Sequence, residues 1–320
     1  MTHFRSRLPQ LGADVFLTDG GIETTLIFDD GFDLPDFAAF VLLDDPAGRR
    51  ALERYFAAYA ELAAGDGVGV VLETPTWRAS VDWGARLGYD ADAMSRVNRD
   101  AVELLVATRA TYSTATSPIV ISGCIGPRGD GYQVGAVMSP AEAQAYHALQ
   151  VRAFSASAAD LVTAITMTYV DEAIGVVEAA RAAEMPVVIS FTVETDGRLP
   201  SGEPLGAAIG AVDAATGDYP SYYMVNCAHP THFAPIIDAA LAGGEGWVGR
   251  LGGVRANAST LSHAELDEAT ELDRGDPADL AARYRDLRTL VPNLRVLGGC
   301  CGTDHHHVGA IIRACAGHSV

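Results

Sequence analysis

The residues best suited to chemistry in this sequence are its cysteines: Cys124, Cys227, the adjacent pair Cys300 and Cys301, and Cys315. Cys227 follows the apolar run 222–226, and Cys300 and Cys301 follow the run 295–298 after one further glycine. Three thiolates with an open fourth position form a zinc site suited to catalysis rather than to structure alone. Adjacent side chains on a strand point to opposite faces, so both cysteines reach one ion only if the backbone turns sharply. Gly298, Gly299 and Gly302 are the residues expected to allow that turn. A thiol entering the fourth position would lose its proton at neutral pH. Three thiolate ligands keep such a site negative and leave the fourth sulfur electron-rich. The matching reaction is attack on an activated methyl group, such as that of a sulfonium or quaternary ammonium ion. A hydrolytic zinc centre more often uses His and carboxylate ligands to activate water, so a zinc hydrolase on a barrel is the disfavoured reading.

Such a site needs a frame. Short apolar runs at 15–18, 69–73, 119–123, 161–165, 187–191, 222–226, 247–251 and 295–298 read as strands. Most are apolar along their whole length, as in parallel strands covered on both faces. Between them lie amphipathic stretches at 46–64, 91–112, 140–158, 171–183, 231–241 and 277–290. Helix-start signals are present, as in Ser139-Pro140-Ala141-Glu142 and Asp276-Pro277. Eight strands with helices between them imply a single (β/α)8 barrel over residues 1–320, with 259–276 as a loop and helix insertion. An open doubly wound sheet is the alternative, disfavoured by the lack of a G-x-G-x-x-G turn or a P-loop. In a barrel the active site lies at the C-terminal strand ends. The residues expected there include Asp19, Gly20, Gly21, Glu23, Thr74, Thr192 and Asn226, along with Cys227, Cys300 and Cys301.

Hydrophobic residues make up 49% of the chain and charged residues 20%, enough apolar content for a large core. The formal charge of -19 repels phosphate backbones and anionic lipid, which excludes nucleic acid and membrane as expected partners. No signal peptide or membrane span is evident, and an odd cysteine count with an adjacent pair argues against a disulfide framework. A cytoplasmic setting with free thiols is therefore expected. The sequence does not define an oligomeric state.

Over nearly its whole length the chain resembles the homocysteine S-methyltransferases. Asp19-Gly20-Gly21-Ile22-Glu23-Thr24 looks like the family's first-strand D-G-(G/A) turn, and Glu73-Thr74-Pro75-Thr76-Trp77 is similar to its E/T-T-N-T-F segment. Gly123-Cys124-Ile125-Gly126-Pro127 resembles G-S-I-G-P, and Ser190-Phe191-Thr192 with Gly197-Arg198-Leu199 resembles S-F-T followed by G-R-L. Val225-Asn226-Cys227 and Gly298-Gly299-Cys300-Cys301-Gly302-Thr303 match the two segments that supply the family's zinc ligands. The resemblance implies a (β/α)8 barrel, a Zn2+ cofactor on Cys227, Cys300 and Cys301, and methyl transfer from a small donor to a thiol, homocysteine first. Asp19, Glu23, Thr74 and Asn226 are then expected to act around the reacting thiol, and Gly20, Gly21, Thr192 and Asn257 to line the bound ligand. A chain of this length has no room for cobalamin and folate domains as well, so a small donor or a separate partner is implied.

Three positions depart from the family pattern. The fourth-strand Glu-Thr, whose Glu holds the homocysteine amino group, is replaced by Ile165 and Thr166; Pro75 stands for Asn; and the seventh-strand Y-P-N-S appears as Arg255-Ala256-Asn257-Ala258. Glu23, Glu73 and Glu194 are the carboxylates that position offers as substitutes. Trp77 and Tyr132 are candidates for an aromatic wall against a cationic donor, while His305, His306, His307 and Cys315 read as structural. The competing reading is a zinc- and thiol-binding relative that acts on another thiol or selenol, or that lacks methyl transfer.

Overall fold

Eight strands close into an all-parallel barrel in which each pairs with its sequence neighbours and the last returns to the first. The structure, a computed structural model, describes residues 4–315. The strands are β1 (Phe16–Thr18), β2 (Gly69–Glu73), β3 (Ile119–Ile125), β4 (Leu161–Met167), β5 (Val187–Thr192), β6 (Tyr222–Asn226), β7 (Leu251–Ala256) and β8 (Val296–Gly299). The helices are α1 (Ile22–Thr24), α2 (Pro46–Asp66), α3 (Val81–Arg86), α4 (Ala91–Tyr112), α5 (Pro140–Ser155), α6 (Val170–Ala182), α7 (Leu205–Thr216), α8 (Pro230–Ala242), α9 (His263–Asp267), α10 (Pro277–Leu290) and α11 (His305–Cys315). This is the expected (β/α)8 barrel.

The local causes are those the sequence suggests. Seven strands are buried along their whole length because helices cover one face and barrel side chains the other. Ser139 and Glu142 form a reciprocal capping box at the start of α5. Asp45, Asp90 and Asp276 each accept a backbone N–H at the starts of α2, α4 and α10. Inside the barrel, Phe16, Val71, Val120, Leu161, Val188, Met224 and Val296 form one cluster. Leu8 belongs to the same cluster, as do Cys124 and Ile165 near the C-terminal strand ends. No helix among the described residues is long and apolar enough to cross a membrane.

The seventh strand differs from its expected place. Residues Gly246–Arg250 form a 3-10 turn, and the strand is Leu251–Ala256. Its sequence, Leu-Gly-Gly-Val-Arg-Ala, is poor in large apolar residues because it carries Arg255 into the barrel, so an apolar-run criterion favours the Trp-Val pair before it. The later start puts Arg255 and Ala256 at the strand's end and Asn257 and Ala258 just beyond it, on the same rim as the cysteines. Helix α7 was not among the expected helices.

Candidate metal and thiol site

Strand β6 ends at Asn226, and Cys227 follows with a left-handed backbone, φ 53°. Its N–H donates to the Arg255 carbonyl at 3.0 Å. Its own carbonyl accepts from Asn257 Nδ2 at 3.0 Å and lies 2.6 Å from His263 Nε2 of α9. Three backbone and side-chain contacts thus hold a non-glycine residue in a conformation that costs it about 1 kcal/mol or more. Strand β8 stops at Gly299, so Cys300 and Cys301 lie beyond it, with Cys301 in a turn. The Cys300 N–H donates to the Ala256 carbonyl at 2.8 Å, and its carbonyl accepts from the Thr303 hydroxyl at 2.7 Å. Gly302 takes φ 77° and completes the turn. Gly298 and Gly299 serve differently from expectation, since neither has a left-handed backbone and each instead leaves no room for a Cβ against Thr18 or Thr303.

The result is that the sulfurs of Cys227, Cys300 and Cys301 all lie within 4.8 Å of one another. Cys227 and Cys300 are joined as a disulfide, their Cα atoms 5.4 Å apart, while Cys301 is a free thiol. The sequence had argued for free thiols throughout; the turn that draws three sulfurs to one point also puts two of them within bonding reach. Sulfurs on a tetrahedral zinc ion sit about 3.8 Å apart, given a metal–sulfur bond of about 2.3 Å. Once the pair is reduced, the donor set and its spacing fit such an ion. The Tyr132 hydroxyl lies 3.5 Å from Cys301 Sγ, and burial pushes the thiol of Cys301 up. Cys124 and Cys315 are buried elsewhere and belong to no such group.

Around the sulfurs, several polar atoms are buried without a partner. They are Thr192 Oγ1, Asn226 Nδ2 and Asn257 Oδ1, at the ends of β5, β6 and β7. The other amide oxygen, Asn226 Oδ1, accepts from Ser190 Oγ at 2.6 Å and from the Thr166 N–H at 3.0 Å. Unsatisfied buried groups cost about 1–3 kcal/mol each, so three at neighbouring strand ends beside the cysteines mark a place suited to a polar ligand. Thr74 is different, because its hydroxyl is 2.6 Å from Thr76 Oγ1 and accepts from the Cys124 N–H at 2.9 Å, holding β2 to β3.

The residue that sequence reasoning missed is Arg255. Its guanidinium is buried, with one nitrogen 2.8 Å from Asp19 and 3.1 Å from Glu73. Its Nε donates to the Gly299 carbonyl and Nη2 to the Gly20 carbonyl, both at 3.2 Å. Asp19 is therefore held by a cation, and Tyr55 Oη stands 3.2 Å from it. The expected seventh strand ended at 251, so Arg255 did not read as a charge inside a strand; once the strand runs Leu251–Ala256 the arginine is buried, and buried arginines are rarely unpaired. Burial lowers the affinity of Arg255 for its proton, but Asp19 and Glu73 more than offset this and raise it overall. One cation between two carboxylates leaves a negative charge uncompensated, and burial pushes Glu73 from 4.5 up to about 7.

That shift sets a pH dependence. A raised carboxyl pKa means the folded protein holds its proton more tightly than the unfolded chain. The stability contributed by this one carboxyl is thus fully present below about pH 4.5 and is lost as pH rises through about 7. In Glu73→Gln this contribution is absent. Relative to the parent, the variant gains up to about 3 kcal/mol between about pH 5 and pH 8, read from denaturant midpoints at both values. An unchanged difference would show that Glu73 stays ionised throughout.

Gly20 and Gly21 carry the β1 turn against the β8 turn. The Gly21 N–H donates to the Thr303 carbonyl at 3.0 Å, and a Cβ on Gly21 would stand 2.5 Å from the Cys300 carbonyl. We expect Gly21→Val to push the Cys300 turn away from Cys227 and to reduce both zinc content and turnover at least tenfold. Full zinc retention in the folded variant would show that the turn absorbs the change.

The remaining candidates are accounted for as follows. Ile165 sits in the barrel cluster beside Trp77, and no carboxylate replaces it on β4. Trp77 has one face covered by Arg78, whose guanidinium lies 3.9 Å from its ring and 3.8 Å from that of Trp83, so that face is closed to a donor. Tyr132 stacks obliquely on His263 with 4.5 Å between ring centres. His307 is bonded to Asp304 at 2.7 Å and lies 2.8 Å from the Arg274 carbonyl, while His305 and His306 are exposed at the start of α11.

Comparison with known proteins places this closed (β/α)8 barrel in one family. The sequence profile of the homocysteine S-methyltransferases matches residues 16–315, and the chain belongs to that family. Among solved structures it is similar to the homocysteine methyltransferase MmuM from Escherichia coli. The oxidized form is 21% identical with a TM-score of 0.72, over 94% of this chain and 96% of that one. The metallated form is 20% identical with a TM-score of 0.69 over the same shares. Direct comparison with curated protein sequences finds no match. The family and fold make the chain an S-methyltransferase.

Proposed function

We propose that the protein is a zinc-dependent methyltransferase that moves a methyl group from a small sulfonium or ammonium donor to a thiol, homocysteine first, giving methionine. The observation that carries this reading is the set of three cysteine sulfurs within 4.8 Å at the mouth of a barrel of this family. Cys227, Cys300 and Cys301, once reduced, hold the ion. When bound there, zinc supplies Lewis acidity that lowers the pKa of a thiol and makes it a nucleophile at neutral pH. The Tyr132 hydroxyl is placed to donate to the Cys301 sulfur and so to favour its thiolate form. Thr192, Asn226 and Asn257 offer the unpartnered atoms that would bond the polar end of the thiol. Arg255 fixes the β1 and β8 turns relative to each other, which keeps Gly20 and Gly21 against the cysteine turn. The setting is a reducing one, as in the cytoplasm, because the Cys227–Cys300 pair must be open for three thiolates to exist.

The test is direct. Reduced, zinc-loaded protein is incubated with homocysteine and methyl-labelled S-methylmethionine, betaine or S-adenosylmethionine. Labelled methionine from at least one donor is the expected product. Thiol binding without product for any donor would leave the second reading, a thiol-binding relative without methyl transfer, which the apolar Ile165 favours.

A further inference from the structure

Among the described residues, the barrel-mouth carboxylates Asp19, Glu73, Glu194 and Asp130 are already engaged. Asp19 and Glu73 share Arg255. Glu194 lies 3.3 Å from His263 Nδ1. Asp130 accepts the N–H groups of Tyr132 at 2.7 Å and Gln133 at 3.0 Å, with Arg78 at 4.0 Å. Glu23 has no side-chain hydrogen bond or ion pair with any described residue; only its own backbone N–H bonds it.

Its position is set by its neighbours in α1. Gly21 packs on the Cys300 carbonyl, and Thr24 Oγ1 accepts the Gly302 N–H at 3.2 Å. Glu23 is therefore carried on the segment that touches the cysteine turn on both sides of it. Its charge acts on both the Cys301 thiol and the Tyr132 hydroxyl. Across the mouth, β4 presents only Ile165 and a Thr166 whose hydroxyl is taken by Trp77 Nε1 at 2.7 Å. Burial pushes the Glu23 carboxyl up to about 7, so this group gains from any cation brought beside it.

We propose that Glu23 receives the α-ammonium group of an amino-acid thiol and so selects such thiols over those lacking an amine. The inference rests on the methyltransferase reading and names the group that sets its substrate. An ammonium group buried at the barrel mouth without a partner would cost several kcal/mol. With Asp19 and Glu73 committed to Arg255, Glu23 is the carboxylate left to meet it. The sulfur end then lies toward the three cysteines and the amine toward α1.

The experiment measures binding by calorimetry of L-homocysteine and of 4-mercaptobutanoate, its analogue without the amine. The proteins are the reduced, zinc-loaded parent and Glu23→Gln, with KM and kcat recorded for both thiols. The parent is expected to bind homocysteine at least 30-fold more tightly than the analogue. In Glu23→Gln that preference collapses through weaker homocysteine binding, roughly 30-fold or more, while the analogue binds as before. Glu23→Asp recovers part of the preference. Equal affinity of the parent for the two thiols overturns the proposal without any variant. An equal loss for both thiols in folded, zinc-replete Glu23→Gln overturns it as well, since that is a structural effect. If the parent binds neither thiol, the methyltransferase reading fails first and takes this inference with it.

Discussion

Replacing Cys227, Cys300 or Cys301 singly by alanine should leave a folded protein that no longer keeps zinc against a mild chelator and no longer transfers methyl groups. The three sulfurs converge from two chain segments onto one point. Free energies of structural zinc binding are on the order of 10–16 kcal/mol. Removing one of three thiolates forfeits several kcal/mol of this, or about a thousandfold or more in affinity. Parent protein should hold about one ion per chain after reduction, and little before it, because the Cys227–Cys300 bond withholds two of the ligands. Cys124→Ala and Cys315→Ala are the controls, as neither thiol lies in the group. Elemental analysis after dialysis reads all five. Full zinc in any one of the three variants removes that residue from the ligand set.

The other large effect is expected at Arg255. Replacing it by methionine leaves Asp19 and Glu73 buried beside each other without their cation. Breaking a buried pair from one side costs about 3–5 kcal/mol. For a protein of this size that corresponds to a fall in Tm of roughly 5–8 °C. The change should also loosen the site, because the guanidinium bonds the carbonyls of Gly299 and Gly20 on the two turns that meet at the cysteines. Adding Glu73→Met to Arg255→Met should recover part of the loss, since it removes one of the two orphaned charges. A double variant less stable than Arg255→Met alone would show that Glu73 has a favourable role independent of the guanidinium.

The barrel was legible in the sequence because parallel strands covered on both faces are uniformly apolar, and because Ser139 and Asp276 mark their helices with capping side chains. The seventh strand was displaced by five residues at its end, Leu251 to Ala256, because it carries glycines and a charge into the interior. The convergence of the cysteines was readable from type and spacing, whereas the Cys227–Cys300 bond was not, since it depends on the local turn geometry around each thiol. What escaped entirely was the pairing of charges. Asp19, Glu73 and Arg255 are far apart in the chain, and nothing local says which acid the arginine will neutralise. Asp19 looked like a group free to act on a ligand and is instead bound within the frame; Glu23, from the same motif, is the unengaged one.

The cysteine turn lies on the seam where β8 meets β1. Gly299 N–H bonds the Asp19 carbonyl, Gly21 N–H the Thr303 carbonyl and Gly302 N–H the Thr24 hydroxyl. Two of the three sulfurs follow the last strand of the barrel, and the turn they stand on is braced by the first. A nascent chain gathers the Cys227 segment with the sixth strand, but Cys300 and Cys301 become available only after the eighth strand is made and the ring can close. In the zinc-dependent reading proposed above, capture of an ion at this site requires that both ends of the barrel have already met.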